Sequence, residues 1–235
     1  MVPSFVSQRR NVTTAKMSDS EIITLSICSE LVGIDSEKAW YSFVKRNYRH
    51  IFPNLCCRTR FNPTRKNLLQ VTELLRPKIP LVFPISDSRY FVIDSFPLPV
   101  YKFNRARYCR SFREDGANYG KCPSKKETYF GFKVHALITL EGYITAFEIT
   151  PASVDDRKGL RDLAENRLGL TVLGDKGYIE ETLFEDMRAK GICLMSLKPS
   201  NYKTTWSRKL RQLIFRFRRR VETVFSQLSE QMNAE

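Results

Sequence analysis

The chain has 235 residues, long enough for one large domain or two small ones with a real core. Lys and Arg outnumber Asp and Glu 39 to 25, a formal net charge of +14, which points to nucleic acid or an anionic membrane as partner. No apolar run approaches the length of a membrane span, and residues 1–10 lack a secretory apolar core, so the membrane loses support and nucleic acid leads. The two histidines (His50, His135) and six cysteines (Cys28, Cys56, Cys57, Cys109, Cys122, Cys193) contain no C-x-x-C pair, which argues against a zinc site and for reduced thiols.

Residues 1–17 show no periodicity. Ser18 and Glu21 form a capping box opening a helix with Ile23, Ile27, Leu31 and Ile34 at helical spacing. A second helix is expected over 37–49. A third is expected from Asn62-Pro63, an N-cap followed by proline, with Leu68, Val71 and Leu75 as its apolar face and Pro77 as its stop. Residues 1–85 thus read as a small all-helical N-terminal domain, a DNA-binding or packing module, with a connector from Lys78 to Pro84. Phe91, Val92 and Ile93 then form a short buried strand closed by Asp94. Residues 101–126 interleave Lys102, Arg105, Arg107, Arg110, Arg113, Lys121, Lys125 and Lys126 with Tyr101, Phe103, Tyr108, Phe112 and Tyr119. Cations among aromatics suit phosphate contact plus base stacking; a solvated loop is the plainer alternative.

Strands are expected over 129–139 and 143–150, joined at Glu141-Gly142. Asp155 or Asp156 then caps a helix bearing Leu160, Leu163 and Leu168 and stopping at Gly169. A strand from Thr171 ends in Gly174-Asp175-Lys176-Gly177. Glu180 and Glu181 open a helix carrying Leu183, Phe184 and Met187, and a short strand covers 192–197. The segment 198–220 is rich in Lys and Arg and has no acid. The last helix starts near Ser207 and buries Leu210, Ile214, Phe217, Val221, Phe225 and Leu228, with Glu222 beside that face and on one stripe with Phe215 and Arg218.

Two strand-end aspartates, Asp94 and Asp175, and one helical glutamate, Glu222, are the candidate catalytic and metal-binding residues. Taken singly, each is explained by capping or by pairing with an arginine. Together, three carboxylates without histidine suit Mg²⁺, and two such ions about 4 Å apart activate a water and stabilise the leaving oxygen of a phosphodiester. Asp94 would bridge both ions, Asp175 and Glu222 each completing one. Arg218, one turn before Glu222, and Lys176 could orient a carboxylate or contact a phosphate, against a merely solvated alternative. Asp156 fits helix capping, and His135 fits a packed strand residue better than a ligand.

Hairpin-plus-crossover order after residue 86 gives a mixed sheet with helices on both faces. That order, with Asp on the first strand, Asp after the fourth and Glu on the last helix, resembles the ribonuclease H-like fold. More narrowly it resembles the DDE transposases of bacterial insertion sequences. The phrases that carry this are Ile93-Asp94-Ser95, Tyr129-Phe130-Gly131-Phe132-Lys133-Val134-His135, Gly174-Asp175-Lys176-Gly177-Tyr178 and Arg218 with Glu222-Thr223 and Phe225-Ser226. The resemblance implies an α/β catalytic domain over 86–235 that cleaves and joins DNA at insertion-sequence ends. It further implies two Mg²⁺ (with Mn²⁺ as a substitute), double-stranded DNA as partner, with terminal inverted repeats and target DNA, a homodimer on DNA, and a bacterial cytoplasm with the nucleoid. It departs at Phe215 and Ser229, where relatives often carry Tyr and Lys, and the end of the chain 13 residues past Glu222 reads as a C-terminal truncation. A structure-directed nuclease of the same fold and a defective DNA-binding remnant are the alternatives.

Overall fold

The computed structural model describes residues 12–75, 78–79, 88–108, 110, 112–122, 126–197 and 206–232. Residues 1–11, Pro77, the expected connector beyond Ile79, Cys109, Lys125 and residues 198–205 lie outside the described residues, as does the side chain of Lys102. The chain divides into two compact units, Met1–Pro84 and Ile85–Glu235.

In the first unit, α1 (Asp19–Val32) starts at the expected capping box, with Ser18 N donating to the Glu21 carboxylate at 2.7 Å and Glu21 N donating to Ser18 Oγ at 3.3 Å. It buries Ile22, Ile23, Leu25 and Ser29, whereas Ile27 and Leu31 of the expected stripe are exposed. The helix is apolar on two sides, so its packing partners, not its own periodicity, select the inner one. Those partners are Trp40 and Val44 of α2 (Glu37–Asn47) and Phe61 of α3 (Arg58–Asn67). Contrary to the Asn62-Pro63 signal, α3 starts at Arg58 and holds Pro63 inside it. The early start draws Phe61 into the core, where it is 1% exposed. That burial is worth about 1.5–3 kcal/mol, comparable with the ~3 kcal/mol cost of an interior proline. A break at Leu68 gives a separate α4 (Leu69–Leu75), on which Leu75 is exposed.

The second unit is built on a six-stranded mixed sheet. Central β1 (Tyr90–Lys102) runs antiparallel to β3 (Glu127–Thr139) and parallel to β5 (Thr171–Gly174), and β5 runs parallel to β6 (Cys193–Ser196). The far edge of β3 pairs with β4 (Ile144–Pro151) along its second half and with β2 (Asn118–Cys122) along its first. Strand β2 and a short helix α5 (Phe103–Ala106) therefore occupy the stretch expected as one basic loop. Gly142, at φ +102, turns the β3–β4 hairpin at the expected Glu141-Gly142 site.

Asp94 does not end β1, which continues for eight more residues to Lys102 because β3 keeps pairing with it. What ends near Asp94 is the pairing with β5, whose last partner is Val92. Beyond it β1 is an edge on that side, where Pro97 and Pro99 are tolerated.

Helices cover both faces. Leu160 and Leu163 of α6 (Asp156–Leu163) and Leu183 and Met187 of α7 (Glu181–Ala189) pack on Phe91, Ile93, Leu137 and Val172. On the other face, Ile214, Val221 and Val224 of α8 (Arg208–Gln231) pack on Val92, Ala136, Ile138 and Leu173. Leu168, expected on α6, is 78% exposed because that helix ends at Leu163.

Candidate active site

Strand pairing brings the two aspartates together. Val92 of β1 pairs with Leu173 of β5, so Asp94 and Asp175, each two residues further along, emerge side by side where the parallel pairing stops. One oxygen of each is held by backbone: Ser95 N donates to Asp94 Oδ1 at 2.9 Å, and Gly177 N donates to Asp175 Oδ1 at 2.7 Å. Backbone amides thus account for half of each carboxylate. The other half faces a shared cation, with Arg218 Nη2 3.9 Å from Asp94 Oδ2 and 3.7 Å from Asp175 Oδ2. Arg218 comes from α8, the helix covering the Asp94 face.

Burial pushes the Asp94 carboxyl up to about 6, the Ser95 amide and Arg218 opposing it and the charges of Asp175 and Asp156 adding to it. The pair suits a hard divalent cation: its donors are all oxygen, and added positive charge would relieve the strained ionisation of Asp94. Glu222 is exposed. Among the described residues no three His, Cys, Asp or Glu side chains are drawn together closely enough to hold an ion.

Sequence reasoning missed a polar network under the same strand. Asp155, not Asp156, caps α6, its side chain accepting from Arg157 N. Asp156 turns toward the sheet instead, where it accepts from Ser95 Oγ at 2.9 Å and Lys133 Nζ at 3.0 Å and lies 3.8 Å from His135 Nδ1. His135 is fully buried, as expected of a packed residue; its Nε2 meets Thr150 Oγ1 at 2.9 Å while Nδ1 lacks a hydrogen-bond partner among the described residues. Burial lowers its pKa, against the opposing charge of Asp156, and so favours the neutral ring. The Tyr178 hydroxyl is also buried without a partner among the described residues, and burial, then Asp156, Asp94 and Asp175, raise it well above the ordinary phenol range. The signal was Lys133 and His135 at a spacing of two on an apolar strand, since inward-facing polar residues demand an inward-facing acid.

Of the candidate DNA contacts, Arg105, Arg107, Arg110, Lys126 and Lys176 are exposed. Arg107 lies over the Tyr108 ring at 4.6 Å. Arg113, also exposed, donates to the carbonyls of Ala106 (3.3 Å) and Arg107 (3.2 Å) and lies over Phe130, so it braces its own loop.

A family model described as a transposase DDE domain matches residues 87–235. Comparison with curated proteins gives no match. Among solved structures, a cryo-EM structure of the piggyBac transposase synaptic complex with hairpin DNA aligns at a TM-score of 0.43 and 12% identity, covering 85% of this chain and 46% of that one. The chain thus spans about half the length of that protein. Since the matched span covers more than half of the chain and takes in Asp94, Asp175 and Glu222, the chain belongs to the transposase DDE domain family.

Proposed function

We propose that this chain is a DNA transposase that cleaves and joins strands at the ends of an insertion element. The observation that carries this is the pair Asp94 and Asp175, side by side on parallel strands and sharing Arg218. Asp94, Asp175 and Glu222 are the metal ligands of this reading. Support for Glu222 comes from its neighbours on α8: Arg218, one turn before, reaches both aspartates, and Phe225, one turn after, has its ring 4.6 Å from that of Phe96. By spacing, Glu222 falls between them on one helical stripe, with its side chain exposed. When bound, two Mg²⁺ (or Mn²⁺) supply the activated water and the stabilised leaving oxygen.

The chain's own residues do the rest. The Ser95 and Gly177 amides fix one oxygen of each aspartate and leave the other to a cation. Arg218 holds positive charge at the pair and moves to a phosphate oxygen or to Glu222 as the site fills. Arg105, Arg107, Arg110, Lys126 and Lys176, together with Lys102 and Lys125, take the phosphates of the element's terminal inverted repeats and of target DNA. Joining two ends to one target needs two sites, so the acting species is a homodimer on DNA, at the bacterial nucleoid.

The test is incubation of the chain with duplex DNA carrying the sequences that flank its coding region, with Mg²⁺ or with chelator. Mg²⁺-dependent nicking and joining by the parent, both lost in Asp175→Asn, is the expected result. Nicking without joining favours a structure-directed nuclease; nicking that survives chelation or Asp175→Asn removes the proposal.

A further inference from the structure

Beyond the acids, the same sheet face carries an aromatic ledge that catalysis does not use. Tyr101 of β1, Phe130 of β3 and Tyr119 of β2 form one cross-strand row. Phe130 is buried at its centre, while Tyr101 and Tyr119 are each 44% exposed. Phe103 of α5, 55% exposed, stands edge-on to Tyr119 with ring centroids 5.8 Å apart, and Tyr119 meets Phe130 at 5.3 Å. Phe112 extends the group toward Phe132 at 6.2 Å from a left-handed backbone (φ +60), a conformation a bulky residue adopts only when its surroundings impose it. Arg105, Arg107 and Arg110 are exposed along the same stretch. A cleft of ≈ 460 Å³ lined by Val100, Tyr101, Asn104 and Arg105 opens beside the row.

Four exposed rings on one stretch are costly in water, and three exposed arginines on the same stretch, one of them lining the cleft with Tyr101, favour an anionic occupant. Every base has a π-face, and stacking with a cationic rim suits nucleic acid whose bases are unpaired. In duplex DNA those faces are covered by neighbouring bases.

Even-numbered residues of β3 from Ala136 to Phe130 share one face, and Ala136 pairs with Asp94. At about 3.3 Å per residue the row lies ~20 Å from Asp94 along the sheet, about six rises of B-form DNA.

We propose that this ledge stacks unpaired nucleotides of the DNA strand leading away from the carboxylate pair, with Asn104 and Arg105 in the cleft meeting a base edge and a phosphate. The idea rests on the DNA-processing function above and adds single-stranded DNA as the ligand of this surface.

The experiment uses the full chain at one fixed salt concentration, with two labelled probes: a single-stranded oligo(dT) of about 20 nucleotides and a duplex of about 20 base pairs. Tyr119→Ala and Phe103→Ala, both at exposed positions, should each lower single-strand affinity about tenfold and leave duplex affinity within about twofold. Tyr119→Trp, which preserves stacking, should restore it. Unchanged single-strand binding in both alanine variants overturns the proposal, as does an equal loss on both probes, and in either case parental duplex binding leaves the DNA-processing function standing. A parent chain that binds neither probe overturns both.

Discussion

Replacing Asp94 with Asn should stabilise the metal-free protein while removing its proposed chemistry. The Asp94 carboxyl titrates at about 6 in the fold against 3.8 ordinarily, mainly because the strand buries it. Two pKa units correspond to about 3 kcal/mol of cost for holding the charged form. The sign follows from proton counts. Between pH 3.8 and 6 the folded state binds more protons at this site than the unfolded chain, so stability falls as pH rises through that window and stays reduced above it. Asn keeps the acceptor for Ser95 N and carries no charge, while Arg218 keeps Asp175. Asp94→Asn should therefore gain about 1–3 kcal/mol at pH 7.5 and close to nothing near pH 4. For a unit of this size that is about 2–4 °C in Tm per kcal/mol. Urea unfolding in chelator, followed by Trp206, whose indole donates to Ser196 O in the second unit, reads the effect. Substituting Trp40 with Phe removes the second emitter. A gain of the same size at both pH values, or a loss at pH 7.5, would refute the burial argument.

Other consequences follow from the same geometry. Asp156→Ala strips Lys133 and Ser95 of their shared acceptor and should cost about 1–3 kcal/mol in the same urea assay; no loss would mean the network is solvent-satisfied. Gly159 lets α6 approach β3 so closely that an added Cβ would sit 2.4 Å from His135 Cγ, so Gly159→Ala should cost about 1–3 kcal/mol by overpacking. Duplex affinity should fall with salt, and Arg105→Gln with Arg110→Gln should flatten the log–log slope by about 2; an unchanged slope excludes these residues as phosphate contacts.

Most helices and strands of the second unit were legible because their signals were local and mutually consistent; β2 and α5, within the stretch read as one basic loop, were not. Asp94 was legible as an acid on a buried strand, but its position within that strand was not. Whether a strand continues depends on the partner beside it, and β3 supplies one past Asp94 where β5 does not. The same limit explains Asp156. Two adjacent aspartates compete for one cap, and only the packing of α6 over Lys133 and His135 decides which turns inward. In the first unit, α1 offered two apolar sides and α3 an attractive but false start at Pro63, because the burial of Phe61 is a tertiary fact absent from any local window.

Strand alternation gives neighbouring residues opposite duties. Asp94 faces α8, where Arg218 and the stripe bearing Glu222 lie; Ser95 faces α6, where Asp156 gathers Lys133 and His135. The backbone joins the two, since the Ser95 amide holds Asp94 Oδ1 while the Ser95 hydroxyl is held by Asp156. A slip of one residue between β1 and β3 would turn Asp94 into the α6 layer and Ser95 toward Arg218. The part-buried network thus pins register at the residue next to Asp94. Its polar atoms cost more to bury than an apolar core would, and that cost is repaid as alignment, because the one register that satisfies Asp156, Lys133 and Ser95 together is the one that sets Asp94 beside Asp175.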